Sequence, residues 1–311
     1  MSTATLNVPA QGIDPQALFA IKDLELRARV VVEGLWSGLH RSPYAGFSVE
    51  FTEYRQYSPG DDLRYLDWKL LARSDRPCIK KFEDETNLRC LILVDTSRSM
   101  LFGSRGLSKA AYARTFAGTF AYFLGLQRDV VGLALFDSKV HSYLPPRWKP
   151  GHIRHLMAML EREPEGRESR LGEAIDEAAR LCGKRSLILL LSDFLAPVEE
   201  WEPALARLAA ARHDIRAVQI LDPAEVNLDF GQTAVWEDME TARRVYVDPE
   251  QARAGYTTRF NAHQAAVKAA LEKRGISRQI AVTDQPLDFA LLELVQAGAA
   301  RRATARRRAQ L

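Results

Sequence analysis

The sequence predicts an α/β protein built on a doubly wound, mostly parallel sheet, with a smaller α+β extension at its amino terminus. Three observations carry this expectation. From Leu88 onward, short apolar runs alternate with longer segments of helical period. The apolar runs lack polar alternation, as expected of strands covered by helices on both faces. Among those that end in a carboxylate are Leu91-Ile92-Leu93-Val94-Asp95 and Leu187-Ile188-Leu189-Leu190-Leu191-Ser192-Asp193.

The elements follow in order. Asp14-Pro15 reads as an N-cap with Pro at the first helical position, and Leu18, Ile21, Leu24, Ala28 and Val31 continue one amphipathic helix to Gly34. Residues 49–57 read as a strand, 58–60 as a turn, Leu63, Leu66 and Leu70 as a short helix ending near Arg73, and 78–82 as a strand. Strand 91–94, helix 108–126, strand 130–136 and a polar-tipped strand 140–143 come next, and the alternation implies a parallel sheet. Helices 152–161 and 171–181, strand 187–191, helix 201–211 and strand 215–221 follow. A hairpin of 234–236 with 244–247, a helix from Asp248-Pro249 to Arg274 stopped by Gly275, strand 278–282 and helix 287–297 complete the set. The chain thus divides into an amino-terminal block at 1–87, the main α/β domain at 88–300 and a basic, disordered tail at 301–311.

At 311 residues and 47% hydrophobic content, the chain has enough apolar mass for about two domains and a sizeable core. Cys78, Cys90 and Cys182 are scattered without Cys-x-x-Cys spacing, which argues against a disulfide framework or zinc site and for a reducing compartment. Residues 1–12 do not read as a signal peptide. The weakly polar stretch 110–126 carries Arg114 and falls short of the roughly 20 apolar residues a bilayer span needs. The expected location is cytoplasmic, without membrane contact. A net charge of +3 is too small to imply nucleic acid. It depends on the terminal Arg301, Arg302, Arg306, Arg307 and Arg308, which a frayed, solvated end explains better than a lipid or nucleic-acid patch.

Asp95 is followed by Thr96-Ser97-Arg98-Ser99, so a carboxylate and two hydroxyls stand at the carboxyl end of a buried strand, where open α/β sheets bind ligands. Oxygen donors alone suit a hard cation: Mg²⁺ first, with Mn²⁺ or Ca²⁺ as alternates. Mg²⁺ keeps several waters, so such a site leaves a position open. The bland alternative is that these Ser and Asp side chains cap the next helix or close a turn. Two segments favour the cation: the strand ending at Asp193, and the polar loop 166–171, where Ser169 enters a helix. Parallel pairing of the two strands would bring the three loops together.

Asp95-x-Ser97-x-Ser99 resembles the metal-ion-dependent adhesion site of the von Willebrand factor A fold. The resemblance implies metal ligands Asp95, Ser97 and Ser99 from the first loop, Ser169 in place of the second loop's Thr, and Asp193 from the third. Ser169 keeps the hydroxyl but lacks the methyl that restricts a Thr rotamer. A second block is similar to the bacterial family catalogued as domain of unknown function 58: Glu50-Phe51, Tyr54-Arg55-Gln56-Tyr57, Gly60-Asp61-Asp62-Leu63-Arg64, Asp67-Trp68-Lys69 and Ala72-Arg73. Leu221-Asp222-Pro223 with Glu225, Trp236-Glu237-Asp238, Tyr256, Phe260, His263 and Val282-Thr283-Asp284 with Pro286-Leu287 fit the same family, extending the resemblance from about residue 35 to 294.

The charges of that second block admit two readings. They form an ion-pair network that buttresses the sheet, or Arg55, Asp61, Asp62, Arg64, Trp68 and Arg73 form a partner-docking surface, since Arg and aromatics anchor most interfaces. Haloacid dehalogenase-type phosphatases also put an Asp after a buried strand, but they need a second Asp where this chain has Ser97. Phosphate-loop, dinucleotide, zinc-protease and nucleophile-elbow motifs are absent. His152 and His155 lack a third ligand and read as a surface pair. The expectation is a non-enzymatic interaction protein whose Mg²⁺ bridges to a partner's acidic side chain. The family resemblance implies a MoxR-type AAA+ ATPase as partner, in chaperone-like assembly or metal insertion. The alternative is a Mg²⁺-dependent phosphoryl or nucleotide hydrolase.

Overall fold

The computed structural model describes residues 12–40, 54–56, 78–80, 88–163, 170–183, 185–228, 234–237 and 244–296. The chain forms two compact units, residues 1–38 with 88–311, and residues 39–87. The opening helices therefore group with the main sheet, whereas the sequence reading put them with residues 39–87. In the smaller unit, β1 (Tyr54–Gln56) and β2 (Cys78–Lys80) pair antiparallel. The helix expected over 63–73 lies outside the described residues.

The larger unit opens with two helices rather than one, α1 (Pro15–Ala20) and α2 (Leu24–His40). The break has a local cause: Asp23 accepts the Leu26 N–H through Oδ1 at 2.7 Å and starts a second helix. Gly34 does not stop it. The apolar positions were nonetheless legible, because Leu18, Leu24, Ala28 and Val31 are all buried.

Six strands form the sheet: β3 (Arg89–Asp95), β4 (Val130–Phe136), β5 (Val140–Arg147), β6 (Leu187–Ser192), β7 (Asp214–Leu221) and β10 (Ser277–Val282). Their order is β10-β7-β6-β3-β4-β5. All neighbours are parallel except β4 and β5. The sheet is therefore mostly parallel, as expected, with one antiparallel edge pair. Only residues 137–139 join β4 to β5, far too few for the dozen or more that a parallel crossover needs.

Helices cover both faces. α3 (Lys109–Leu126) lies against β3, β4, β6 and β7 on one side. On the other, Leu91, Leu93, Ile188, Leu190 and Phe136 pack with α5 (Leu171–Leu181), α6 (Val198–Ala210) and Val267 and Leu271 of α8 (Pro249–Glu272). Each such fully buried aliphatic side chain is worth about 1.5–3 kcal/mol relative to exposure, which fixes the strand register and hence where each strand ends. The remaining described elements are α4 (His152–Leu160), the short α7 (Pro223–Asn227), the antiparallel pair β8 (Ala234–Glu237) and β9 (Arg244–Val247), and a last helix, α9, over 287–296. No helix among the described residues is long and apolar enough to cross a membrane.

Candidate metal centre

In chain order the sheet strands read 3-2-1-4-5-6 across the sheet, and the order reverses between β3 and β6. Loops diverge at such a reversal and leave a crevice at the strands' carboxyl ends. Asp95 ends β3, and Asp193 directly follows β6, so the two carboxylates flank that crevice on adjacent parallel strands.

The first loop is tightly organised. The Ser97 N–H donates to Asp95 Oδ1 at 2.9 Å, and the Ser192 hydroxyl donates to Asp95 Oδ2 at 2.6 Å. The Ser97 and Ser99 hydroxyls hydrogen-bond each other, with their oxygens 3.2 Å apart. Thr96 turns the other way: its N–H and its hydroxyl both donate to the Phe136 carbonyl at 2.7 Å. Since its single proton is used there, His141 must donate from Nε2 to Thr96 Oγ1, at 2.9 Å. Thr96 thus anchors the loop and leaves Asp95, Ser97 and Ser99 facing one another.

Asp95 is fully buried, and burial pushes its carboxyl up to about 7. The charge of Asp193 pushes in the same direction, against hydrogen bonds from Ser192 and Ser97. Among the described residues no cation bonds Asp95, and a metal ion would relieve a buried carboxylate so placed.

The third loop meets the first but is itself engaged. Asp193 accepts the Leu195 N–H through Oδ1 at 3.2 Å and the Lys109 ammonium through Oδ2 at 2.9 Å. Lys109 is completely buried and also bonds Glu225 Oε1 at 2.5 Å. Burial pulls the Lys109 pKa down, but the two carboxylates outweigh it and the net shift is upward. Glu225 has only a share of that ammonium, so for it burial wins and its carboxyl is raised. The turn is fixed from outside as well. Phe194 adopts φ 54° while buried edge-on against Trp201, and the His263 Nε2–H holds its carbonyl at 2.7 Å.

Ser169 of the second loop lies outside the described residues. Its neighbour Arg170 donates its N–H to the Asp137 carbonyl at 3.2 Å, which ties the start of α5 to the end of β4, the strand beside β3. Of the docking candidates, Asp61, Asp62, Arg64, Trp68 and Arg73 lie outside the described residues. Arg55 is described only as backbone, in β1.

The donor set fits Mg²⁺. Ligands at about 2.1 Å put neighbouring octahedral oxygens about 3.0 Å apart, close to the separation of the two hydroxyls beside Asp95. Asp193, whose Oδ2 is already paired with the Lys109 ammonium, fits a role reached through one of the waters that Mg²⁺ retains.

Sequence reasoning missed Ser192, Lys109 and Glu225. The available signal for Lys109 was a cation at the first position of a helix whose next turns are apolar, where the helix dipole disfavours positive charge. The surface reading of the histidine pair also needs correcting. His155 is exposed, but His152 is buried and donates from Nε2 to the Val131 carbonyl at 2.7 Å, so it is a structural side chain.

Fold and loops together define a doubly wound α/β domain with an oxygen-rich crevice at its topological switch point. The chain belongs to the family described as Protein of unknown function DUF58, whose model matches residues 53–266. Uncharacterized protein Rv1480 of Mycobacterium tuberculosis is 29% identical over 259 residues, covering 82% of this chain and 81% of that protein. Uncharacterized protein MAV169 of Mycobacterium avium is 32% identical over 124 residues, covering 40% of this chain and 72% of that one. Among solved structures, the chain is similar to BatB from Bacteroides thetaiotaomicron, with TM-score 0.39, 17% identity, and coverage of 60% of this chain and 98% of that one. It is also similar to the SpRpn10 VWA domain, with TM-score 0.40, 15% identity, and coverage of 66% of this chain and 93% of that one.

Proposed function

We propose that this chain is a non-enzymatic interaction protein that holds Mg²⁺ through Asp95, Ser97 and Ser99, with Ser169 and Asp193 completing the loop cluster, and binds a partner's carboxylate at the open position. The observation that supports it most is the grouping of a buried, cation-poor Asp95 with two hydroxyl oxygens at near-octahedral spacing, at the switch point of the sheet. When bound, the ion supplies positive charge at an exchangeable corner, and an acidic side chain placed there gains both attraction and orientation. The protein's own groups set the geometry: Thr96 anchors the loop to β4, and Ser192 orients Asp95.

The partner we propose is a MoxR-type AAA+ ATPase, with the pair working in the cytoplasm in chaperone-like assembly or metal insertion. Support for this part is the family resemblance alone. Calorimetric titration of Mg²⁺ into the protein and its Asp95→Ala variant tests the metal. Heat of binding in the first and none in the second is expected, and equal heats from two folded proteins would remove the reading. Pull-down of the ATPase tests the partner: Ser97→Ala with Asp193→Ala is expected to weaken capture, and undiminished capture by the double variant rejects the docking role.

A further inference from the structure

We infer that Lys109 is a resident counter-charge that competes with the cation for Asp193, so that the division of its ammonium between Asp193 and Glu225 sets how tightly the loops hold Mg²⁺. The inference rests on the Mg²⁺ reading above and concerns how the same site is regulated.

The position of Lys109 is costly and therefore informative. A fully buried ammonium needs close partners to offset its desolvation, and this one stands at the start of α3, where the dipole opposes it. Its backbone is fixed, with the N–H on the Phe102 carbonyl at 2.9 Å and Ser108 capping the helix through the Ala111 N–H at 3.2 Å. With the backbone placed there, the ion pairs with Asp193 and Glu225 are what hold its ammonium in position. Two carboxylates share it, Asp193 and Glu225. Glu225 is held in turn: its Oε2 accepts the Asp222 N–H at 2.9 Å, and the Tyr256 hydroxyl donates to its carbonyl at 2.6 Å.

The charge balance follows. Asp95, Asp193 and Glu225 bring three negative charges to this end of the sheet and Lys109 one positive, so the ammonium and a divalent ion compete for the same carboxylates. The groups are walled by buried side chains, where Coulombic terms are strong, and the share of the ammonium that rests on Asp193 sets how much of that carboxylate's charge the ion can feel.

The test uses the full chain and titrates Mg²⁺ calorimetrically at fixed ionic strength. Lys109→Gln removes the counter-charge and is expected to tighten Mg²⁺ binding by about tenfold or more. Glu225→Gln leaves the ammonium wholly on Asp193 and is expected to weaken Mg²⁺ binding. Both variants should lower the melting temperature, so a purely structural role predicts losses in the same direction, whereas the counter-charge predicts opposite ones. Folded Lys109→Gln binding Mg²⁺ no tighter than wild type overturns the inference. Should that variant not fold, unchanged or tighter binding by Glu225→Gln overturns it instead. If wild type and variants all bind no Mg²⁺, the metal reading falls and this inference with it. Binding by wild type that neither variant alters removes only the role of Lys109.

Discussion

Two carboxylates in this molecule share one sequence pattern and have different fates. Asp95 ends β3 and Asp222 follows β7, each at the carboxyl end of a buried parallel strand. Asp222 is consumed by the fold. It caps α7 through the Ala224 N–H at 2.9 Å, takes the Ser104 N–H at 2.9 Å on its other oxygen, and also bonds the Ser104 hydroxyl. Its own N–H goes to Glu225, which completes a capping box. Asp95 instead is buried, bonded by the Ser97 N–H and the Ser192 hydroxyl, and has no cation among its described partners. A carboxylate after a strand is therefore no sign of a site by itself. The hydroxyls at the next two alternate positions make the difference, where Asp222 has Pro223 and a helix.

Removing each carboxylate should separate the two roles most sharply. Asp222→Ala loses a cap and several charge-assisted bonds, and is expected to cost about 3 kcal/mol or more, a melting-temperature fall of roughly 5–10 °C. Mg²⁺ binding measured by calorimetry should survive wherever the variant is folded. Asp95→Asn should do the reverse, and its effect on stability depends on pH. The folded carboxyl at about 7 lies above its ordinary value of 3.8, so the folded state binds the extra proton. The stability this provides is full below the unfolded value and is lost as pH rises from about 4 through about 7. Without metal, thermal melts should find Asp95→Asn equal to wild type near pH 4 and more stable near pH 8. A constant difference across that range would contradict the environment described for Asp95. Smaller still, Ser97→Ala with Ser99→Ala should weaken Mg²⁺ binding about tenfold with little change in melting temperature. Unaltered Mg²⁺ affinity would mean that the hydroxyls only close a turn. The mildest change is Ser169→Thr, whose stiffer rotamer should tighten Mg²⁺ binding about two- to threefold; weaker binding would argue against Ser169 as a ligand.

What could be read in the chain beforehand was whatever depends on local pattern. The apolar runs of β3, β6 and β7 fixed the strands, and their carboxyl ends located Asp95 and Asp193 before any strand order was known. The left-handed Gly275 (φ 66°) ends its helix turn as its residue type indicates. The antiparallel β5 was legible too, had the three-residue connection been weighed against the alternation of elements. The rest depends on contacts between distant segments. Lys109 meets Glu225 across 116 residues, and Ser104 meets Asp222 across 118. No local spacing encodes such pairs. His152 was misjudged for the same reason, because its burial is set by the carbonyl of Val131 on a neighbouring strand. The split of the opening helix turned on Asp23, a single capping side chain inside an otherwise continuous apolar rhythm.

The outermost strand also limits how other molecules can approach. β5 ends Leu144-Pro145-Pro146-Arg147, and its inner side is already paired to β4. Two successive prolines offer no N–H to an incoming chain, so this flank is a poor template for strand addition or for fibril growth. Recruitment by backbone zippering is thus discouraged along that border, and a visiting protein must be recognised there by its side chains.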